Sequence, residues 1–565
     1  MVKRILNFVY KGFDGLHEAA LLLALSSLGS QVLALFRDRL LAGKFGAGLD
    51  LDIYYASFRI PDLVYVFAVS LVVSVSVLIP IFLGKLSDKK NTDAQRKEEA
   101  SRFINSVFSI FAILILSLSV ILFFAIPYLV KFIAPGFGEN EAEKLITLTR
   151  ILLLSPVFLG LSGIFSSIVQ SFNKFFIYAL APIFYNIGII FGIIFLYPAF
   201  GLNGLALGVL LGAFLHFAIQ IPIVYKIGFL PKFEIVRNFS DIRKVFYLSL
   251  PRALGLSVTQ FVFTIFVALA SSISIGSITI LTFAFNLQSV SLAVIGASYS
   301  VAAFPTLARF FTENRREEFL NHILIAGRHI IFWSVPLTGL FIVLRAQIVR
   351  VILGTGSFDW TDTRLVAAAL AVFIFSLVSQ SLVLLFVRGY YASGETRKPI
   401  VINIISSVII IISAFVFIKI FDLLPSVRIF VEDLLRVEGV VGSTVLALPI
   451  AYSFGMLLNG IILWRIFERD FGRLSGLRRV SWQSLTSAIV MGVVAYISLA
   501  IFNNVFDINT FLGILFQGLL SGVIGIVTGV SVLVVLKNRE LDEIVVSFRH
   551  KFWRTKPIAP QPEEL

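Results

Sequence analysis

Apolar residues run through this chain in long blocks, and the polar residues gather between them. A helix that crosses a bilayer needs about 20 mostly apolar residues. Fourteen blocks meet that length: about 18–41, 51–84, 101–132, 145–171, 176–199, 203–226, 245–273, 277–305, 325–352, 364–390, 399–421, 441–465, 482–503 and 512–536. Several run well past it, which permits tilt or interfacial ends. The first block follows Met1-Val-Lys-Arg4. It is too long, and lacks the small-residue cleavage site, for a removable signal peptide, so it is read as the first span. The intervening loops are short, and no inserted soluble domain is expected. The widest outer loop, 421–439, carries Pro425 and mixed charge (Arg428, Glu432, Asp433, Arg436). Segment 229–243 is amphipathic and is expected at the inner interface between the sixth and seventh spans. The tail after Lys537 is polar, ends in a Pro-rich run and is expected to be disordered.

Composition sharpens this picture. Of the 565 residues, 58% are hydrophobic and 14% charged, against about 25% charged in soluble domains. That is more apolar sequence than one globular core can hide from water, which excludes a disordered chain, a fibre and a soluble enzyme. With no cysteine, the chain has no disulfide, thiolate metal site or cysteine nucleophile. Its five histidines (His17, His216, His322, His329, His550) show no ligand spacing. A net charge of +14 would fit a nucleic-acid binder, yet the basic clusters 85–102, 226–244, 309–328, 465–479 and 537–556 fall on alternate loops. That is the positive-inside pattern, and it places both termini in the cytoplasm. Anionic headgroups account for the basic charge, and no recognition motif points to a nucleic-acid partner.

The spans carry an internal echo. The fifth reads Pro182-Ile-Phe-Tyr-Asn186-Ile187 and the eleventh Pro399-Ile-Val-Ile-Asn403-Ile404. The span after each opens Gly-x-x-Gly, at Gly201/Gly204 and Gly439/Gly442, and the second and eighth close on Ser-Val words ending at Pro80 and Pro305. Chance recurrence of common apolar words is the competing explanation. Spans 1–6 and 7–12 are therefore expected to be two parallel copies of a six-helix unit, with a site between them. The expected fold class is all-α: a polytopic membrane protein of about 14 transmembrane helices, two parallel six-helix lobes around a central cavity, plus two C-terminal helices. The boundaries are a first lobe over 1–228, an amphipathic linker over 229–243, a second lobe over 244–470, helices 13–14 over 471–537, and a tail over 538–565.

Charges within a span are costly, so each is a functional hypothesis. The first span carries Arg37-Asp38-Arg39. Helical spacing puts Ser26, Ser30 and Arg37 on one face, with Gln31 and Asp38 beside it. The second span carries Asp52 and Arg59, the seventh Arg252, and the eighth a small and polar stripe: Asn286, Ser289, Ala293, Gly296, Ser300. Plainer readings stand beside these. Arg39 and Asp52 can be interfacial, Arg252 can reach the headgroups, and the stripe can be small-residue helix packing. No Asp or Glu interrupts the centre of spans 3 to 12, as a cation pump would require, whereas buried arginines suit an anionic substrate because guanidinium grips phosphate oxygens bidentately. No Walker loop, nucleophile elbow or zinc-protease motif is present. The expectation is a transporter rather than an enzyme, without a cofactor.

Several words in order resemble the MurJ/MviN-type lipid II flippases: Ser30-Gln-Val-Leu-Ala-Leu-Phe-Arg37-Asp38, Phe45-Gly-Ala-Gly48, Asp52, and Phe58-Arg-Ile-Pro61-Asp-Leu63. Ala134-Pro-Gly-Phe137, Ala181-Pro182 with Asn186, and the run from Gly296 to Pro305 continue the series. That family belongs to the multidrug/oligosaccharidyl-lipid/polysaccharide exporter superfamily. The resemblance implies two lobes around a cavity and a groove on helices 13–14 for a polyprenyl tail. It implies transfer of undecaprenyl-pyrophosphate-linked peptidoglycan precursor from the inner to the outer leaflet of the bacterial cytoplasmic membrane, near the cell-wall synthesis machinery. The family's helix-1 arginine carries over to Arg37 and its outer aspartate to Asp52. Arg37, Arg59 and Arg252 are then expected to bind the diphosphate, and Gln31, Asn286 and Gln288 to hydrogen-bond sugar or peptide. The chain departs from the family where it has Gln31, Val64-Tyr65 and Phe285-Asn286 in place of cationic residues, and helices 7 and 11 offer no carboxylate for sodium. A flippase for another undecaprenyl-linked oligosaccharide, or a drug or cation antiporter of the superfamily, are the alternatives.

Overall fold

Large apolar side chains stand on the outside of the helices, Phe124 at 68% and Phe132 at 78% exposure among them. That inverts the pattern of a water-soluble domain and is what a lipid-facing surface requires. The structure, a computed structural model, describes residues 16–88, 92–234 and 239–553. For 16–21, 24, 76, 251–252 and 547–553 it describes the backbone alone.

Among the described residues, twelve helices are long and apolar enough to cross a membrane, and a bent pair makes a thirteenth. In chain order, α1 is Leu16–Phe45, α2 Leu49–Leu86, α3 Asp93–Ile133, α4 Glu139–Ser171, α5 Phe175–Phe200 and α6 Leu202–Ile227. There follow α7 Ser240–Ser271, α8 Ser277–Thr312, α9 Arg316–Leu353, and α10, the pair Trp360–Phe375 and Leu377–Ala392. Then come α11 Arg397–Leu423, α12 Ser443–Phe471, α13 Leu477–Phe502 and α14 Phe511–Val535. The first of the fourteen expected spans coincides with α1, 30 residues and so about 45 Å long, which is not among those thirteen.

Local chemistry sets the boundaries. Thr92 and Gln95 form a capping box at the start of α3, with Thr92 N–H donating to Gln95 Oε1 at 3.0 Å. Thr510 Oγ1 accepts the Gly513 N–H at 3.1 Å and opens α14. Three spans contain a π-turn: Tyr65–Val69 in α2, Gly192–Leu196 in α5 and Ala293–Ala297 in α8. Gly201 and Gly439, the first residues of the two Gly-x-x-Gly words, both have positive φ.

Two expectations need correction. The loop 421–439 holds a helix, Pro425–Leu435, whose Arg428 pairs with Glu432 at 3.4 Å. The tail after Lys537 is not wholly disordered: α15 spans Arg539–Trp553, and residues 554–565 lie outside the described residues. Part of the expected interfacial linker, 235–238, also lies outside them. Before it, Lys232 N–H donates to Asn105 Oδ1 at 2.9 Å and Glu234 N–H to Ser109 Oγ at 2.8 Å, both on α3.

The chain forms two compact units. The first comprises residues 1–287, 352–373 and 396–456; the second comprises 288–351, 374–395 and 457–565. In the first, α5 and α6 meet along glycines: a Cβ on Gly188 would lie 2.3 Å from Gly212 Cα, and one on Gly208 2.5 Å from Gly192 Cα. An aromatic cluster of Phe263, Phe285, Phe373 and Tyr452 ties α7, α8, α10 and α12 together. In the second unit, Phe319, Phe386, Tyr390 and Phe467 pack α9, α10 and α12, and the Tyr390 hydroxyl donates to Asp470 Oδ2 at 2.9 Å. Gly525 and Gly529 of α14 sit against Met491 of α13.

Candidate functional site

Within the first unit, an arginine in the middle of α1 organises polar groups from three helices. Arg37 donates to Asp38 Oδ1 through Nε at 2.9 Å and Nη2 at 2.7 Å, and through Nη1 to Asn186 Oδ1 of α5 at 3.3 Å. The Asn186 amide donates to Ser30 Oγ at 3.2 Å, one further helical repeat along the same face of α1. Asp38 is 3% exposed, and its second oxygen accepts from Asn286 Nδ2 of α8 at 3.1 Å. Arg37, Asp38 and Asn286, all expected from the sequence, are thus brought together, with Asn186 as their unforeseen fourth member. The arginine stays part-exposed at 19% of its side chain while its carboxylate partner is enclosed. An anion approaching Arg37 meets a guanidinium already oriented from behind.

Arg59 of α2 is 3.5 Å from Asp62, and its Nε is buried with no hydrogen-bond partner among the described residues. Arg39 donates to the Ile352 carbonyl at 3.3 Å, which makes it a tie to the end of α9. Gln31 lies within α1, and its side chain is half-buried. Gln288, in the second unit, is fully buried with neither amide atom partnered there. The side chain of Arg252 lies outside the described residues. The stripe on α8 divides: Asn286 bonds Asp38, whereas a Cβ on Gly296 would lie 2.7 Å from Ser381 Oγ, so Gly296 is helix packing against α10.

Asp52, the aspartate of the second span, lies at the start of α8. It is 1% exposed; Oδ2 accepts the Gly276 N–H at 2.6 Å, and Oδ1 accepts the Thr279 N–H at 2.8 Å and hydroxyl at 2.7 Å. A carboxylate of α2 therefore caps α8, where unpaired N–H groups and the helix dipole favour negative charge. Around it the α1–α2 turn is pressed against two others. Ser357 N–H donates to the Gly43 carbonyl at 2.8 Å, and Ala47 N–H to Asp362 Oδ2 at 2.9 Å. Gly276 (φ +88°) and Gly356 (φ +53°) hold left-handed conformations, and a Cβ would sit 2.2 Å from the Ala47 oxygen and 2.1 Å from the Gly43 oxygen respectively. The turns of this end form a seam of backbone against backbone.

The second unit carries an apolar groove of about 510 Å³ among α8, α9, α13 and α14, lined by Tyr299, Trp333, Leu337, Met491, Ile526 and Leu533 among others. A second apolar groove of about 600 Å³ lies among α9, α10, α12 and α13, with Ile342, Phe375 and Tyr496 on its walls.

Comparison with known proteins gives concordant results. The family described as "Lipid II flippase MurJ" matches residues 41–517. The "Probable lipid II flippase MurJ" of Buchnera aphidicola subsp. Schizaphis graminum (strain Sg) is 30% identical over 390 residues, covering 67% of this chain and 73% of that protein. Among solved structures, "Lipid II flippase MurJ, inward closed conformation" aligns at TM-score 0.70 and 22% identity over 93% of this chain and all of that one. An inward-facing multidrug resistance MATE family transporter of the MOP superfamily aligns at 0.64 and 15% identity, over 80% and 96%.

Proposed function

The chain belongs to the lipid II flippase MurJ family, and we propose that it grips the diphosphate of its substrate with Arg37, Arg59 and Arg252 while two lobes rock between inward- and outward-open states. It is a multi-pass membrane transporter that moves lipid II, the peptidoglycan precursor, and is not an enzyme. The observation that carries the proposed grip is Arg37 itself, a part-exposed guanidinium fixed between Asp38 and Asn186 amid apolar helices. The unpartnered Nε of Arg59 supports its place in the same task. Gln31, Asn286 and Gln288 hydrogen-bond the sugar or peptide in this reading.

The lobes are residues 1–228 and 244–470, joined by 229–243; the matching π-turns of α2 and α8 support their equivalence. Residues 471–537 supply the wall on which the prenyl tail lies, for which the groove of α8, α9, α13 and α14 provides a dry, apolar bed. Residues 538–565 remain on the cytoplasmic face. Both termini are cytoplasmic by the charge pattern, so the Asp52 seam is the outer gate. Asp52 acts there as a latch that releases α8 when the outer end opens. The product emerges where the cell-wall synthesis machinery consumes it, which makes that machinery the proposed partner. No covalent step is required: tighter binding of the headgroup in one state than in the other shifts the balance between them.

Complementation tests the grip. In a bacterium depleted of its own lipid II flippase, this chain should restore growth, and Arg37→Gln should abolish the rescue while inserting at normal abundance. Arg37→Lys should rescue poorly, because an ammonium lacks the bidentate fork. Full rescue by an abundant Arg37→Gln protein refutes this assignment.

A further inference from the structure

An arginine and a histidine stand side by side where the groove of α8, α9, α13 and α14 meets α15. His329, one turn before Trp333 on α9, stacks on Tyr299 with ring centroids 5.8 Å apart and planes 9° from parallel. Trp333 Nε1–H donates to the Tyr299 hydroxyl at 3.0 Å, and both rings line the groove. Arg328 adjoins His329 in sequence. Each of the two faces a carboxylate of α15: Arg328 Nη2 pairs with Glu540, and His329 Nε2 lies 3.2 Å from Glu543.

This contact is costly for what it achieves. Glu540 is 1% exposed, yet neither of its oxygens has a hydrogen-bond partner among the described residues beyond the ion pair. Arg328 Nε and His329 Nδ1 are buried without a hydrogen-bond partner among them as well. A buried ion pair this poorly satisfied stabilises little, and apolar side chains would pack the helix as well or better. At the start of α15, Asn538 caps the helix, accepting the Leu541 N–H at 2.9 Å and donating to Gln483 Oε1 at 2.8 Å. Val545 and Val546 are about half exposed. Among the described contacts of α15, the two made by Glu540 and Glu543 are ones that a competing anion can replace.

We propose that Arg328 and His329 are a docking station for the diphosphate of a polyprenyl-linked lipid whose chain lies in the groove, and that Glu540 and Glu543 of α15 close the station when it is empty. The proposal rests on reading the groove as the prenyl-tail site. Two adjacent side chains, a guanidinium and an imidazole, each face one of two carboxylates a helical turn apart, so the station has places for two anionic centres. A diphosphate supplies two, whereas the phosphodiester of a glycerophospholipid supplies one. Guanidinium binds phosphoryl oxygens bidentately, and the Arg328 Nε–H that α15 leaves unused is one of the donors it can offer. Arrival of the lipid therefore frees α15, and departure lets it return.

The test uses the full chain in detergent, titrated separately with undecaprenyl diphosphate and with phosphatidylglycerol, bound copies being counted by native mass spectrometry. Glu540→Gln and the Glu540→Gln/Glu543→Gln pair should bind undecaprenyl diphosphate about tenfold more tightly than the parent, and adding Arg328→Gln should erase the gain. Because the chain has no cysteine, Val546→Cys can carry a single spin label on an otherwise unaltered protein. Undecaprenyl diphosphate should mobilise that label, and phosphatidylglycerol should not. Unchanged affinity in the glutamine variants together with an unresponsive label overturns the station, as does a gain that survives Arg328→Gln. An equal response to phosphatidylglycerol overturns the diphosphate assignment. These outcomes are separate from the cavity grip, which Arg37→Gln tests by transport: Arg37→Gln should leave the label's response intact.

Discussion

Neighbouring residues in this chain answer to different helices. Arg37 turns to α5 and Asp38 to α8, so their mutual ion pair joins the two contacts into one network. Removing the α5 arm with Asn186→Leu should leave Arg37 charged but loosely aimed, lowering complementation while Arg37→Gln abolishes it. Asp52 illustrates a carboxylate whose two oxygens both have work: Asp52→Asn keeps one acceptor and loses the charge at the start of α8. That should cost the closed seam about 1–3 kcal/mol, a shift of roughly five- to 150-fold toward open forms. Thr355→Cys, placed at the seam, would then react faster with maleimide in Asp52→Asn than alone; equal rates would count against the latch. The arginine and the aspartates were legible from the sequence because a charge inside an apolar block stands out. Asn186 was visible as a word but not as a partner, since one neutral amide in a span has no sign to match. Gly276 and Thr279 were beyond reach, because both contribute backbone N–H groups that any residue carries, and the one hydroxyl that Thr279 adds is common in apolar spans.

At the scale of elements, length and apolar run placed the spans, while their interruptions stayed hidden. The break of α10 at Ser376 and the three π-turns fall inside continuous apolar sequence, where periodicity over so few residues says nothing. The helices Pro425–Leu435 and α15 were missed for the opposite reason: they are too short and too charged to register as spans. In α15 the spacing of Leu541, Ile544, Val545 and Phe548 was the available signal, an apolar stripe at helical intervals. The glycine seam between α5 and α6 gives the element-level prediction. Gly208→Leu places a branched side chain where a Cβ alone would lie 2.5 Å from Gly192 Cα, and overpacking of that kind costs about 1–3 kcal/mol or more. The variant should melt at a lower temperature in detergent by intrinsic fluorescence, without any change of charge near Arg37.

For the whole molecule, the alternation of basic loops predicts an orientation that single cysteines can check in intact cells. A cysteine at Val441, an exposed residue beside the Gly442 turn, should be labelled by an impermeant maleimide from outside, and one at Ser475 only after permeabilisation. The reverse pattern would invert the gate assignment along with the topology. The seam at the α1–α2 end carries a consequence of its own. Its contacts are backbone against backbone, with no room for a single Cβ at Gly276 or Gly356. Parting such a surface must wet it, so each cycle takes up water on opening and expels it on closing. Solutes that are excluded from protein surfaces make that wetting dearer. Transport in proteoliposomes should therefore slow under sucrose on the side the seam faces, and a cell that thickens its surroundings would be throttling its own wall synthesis.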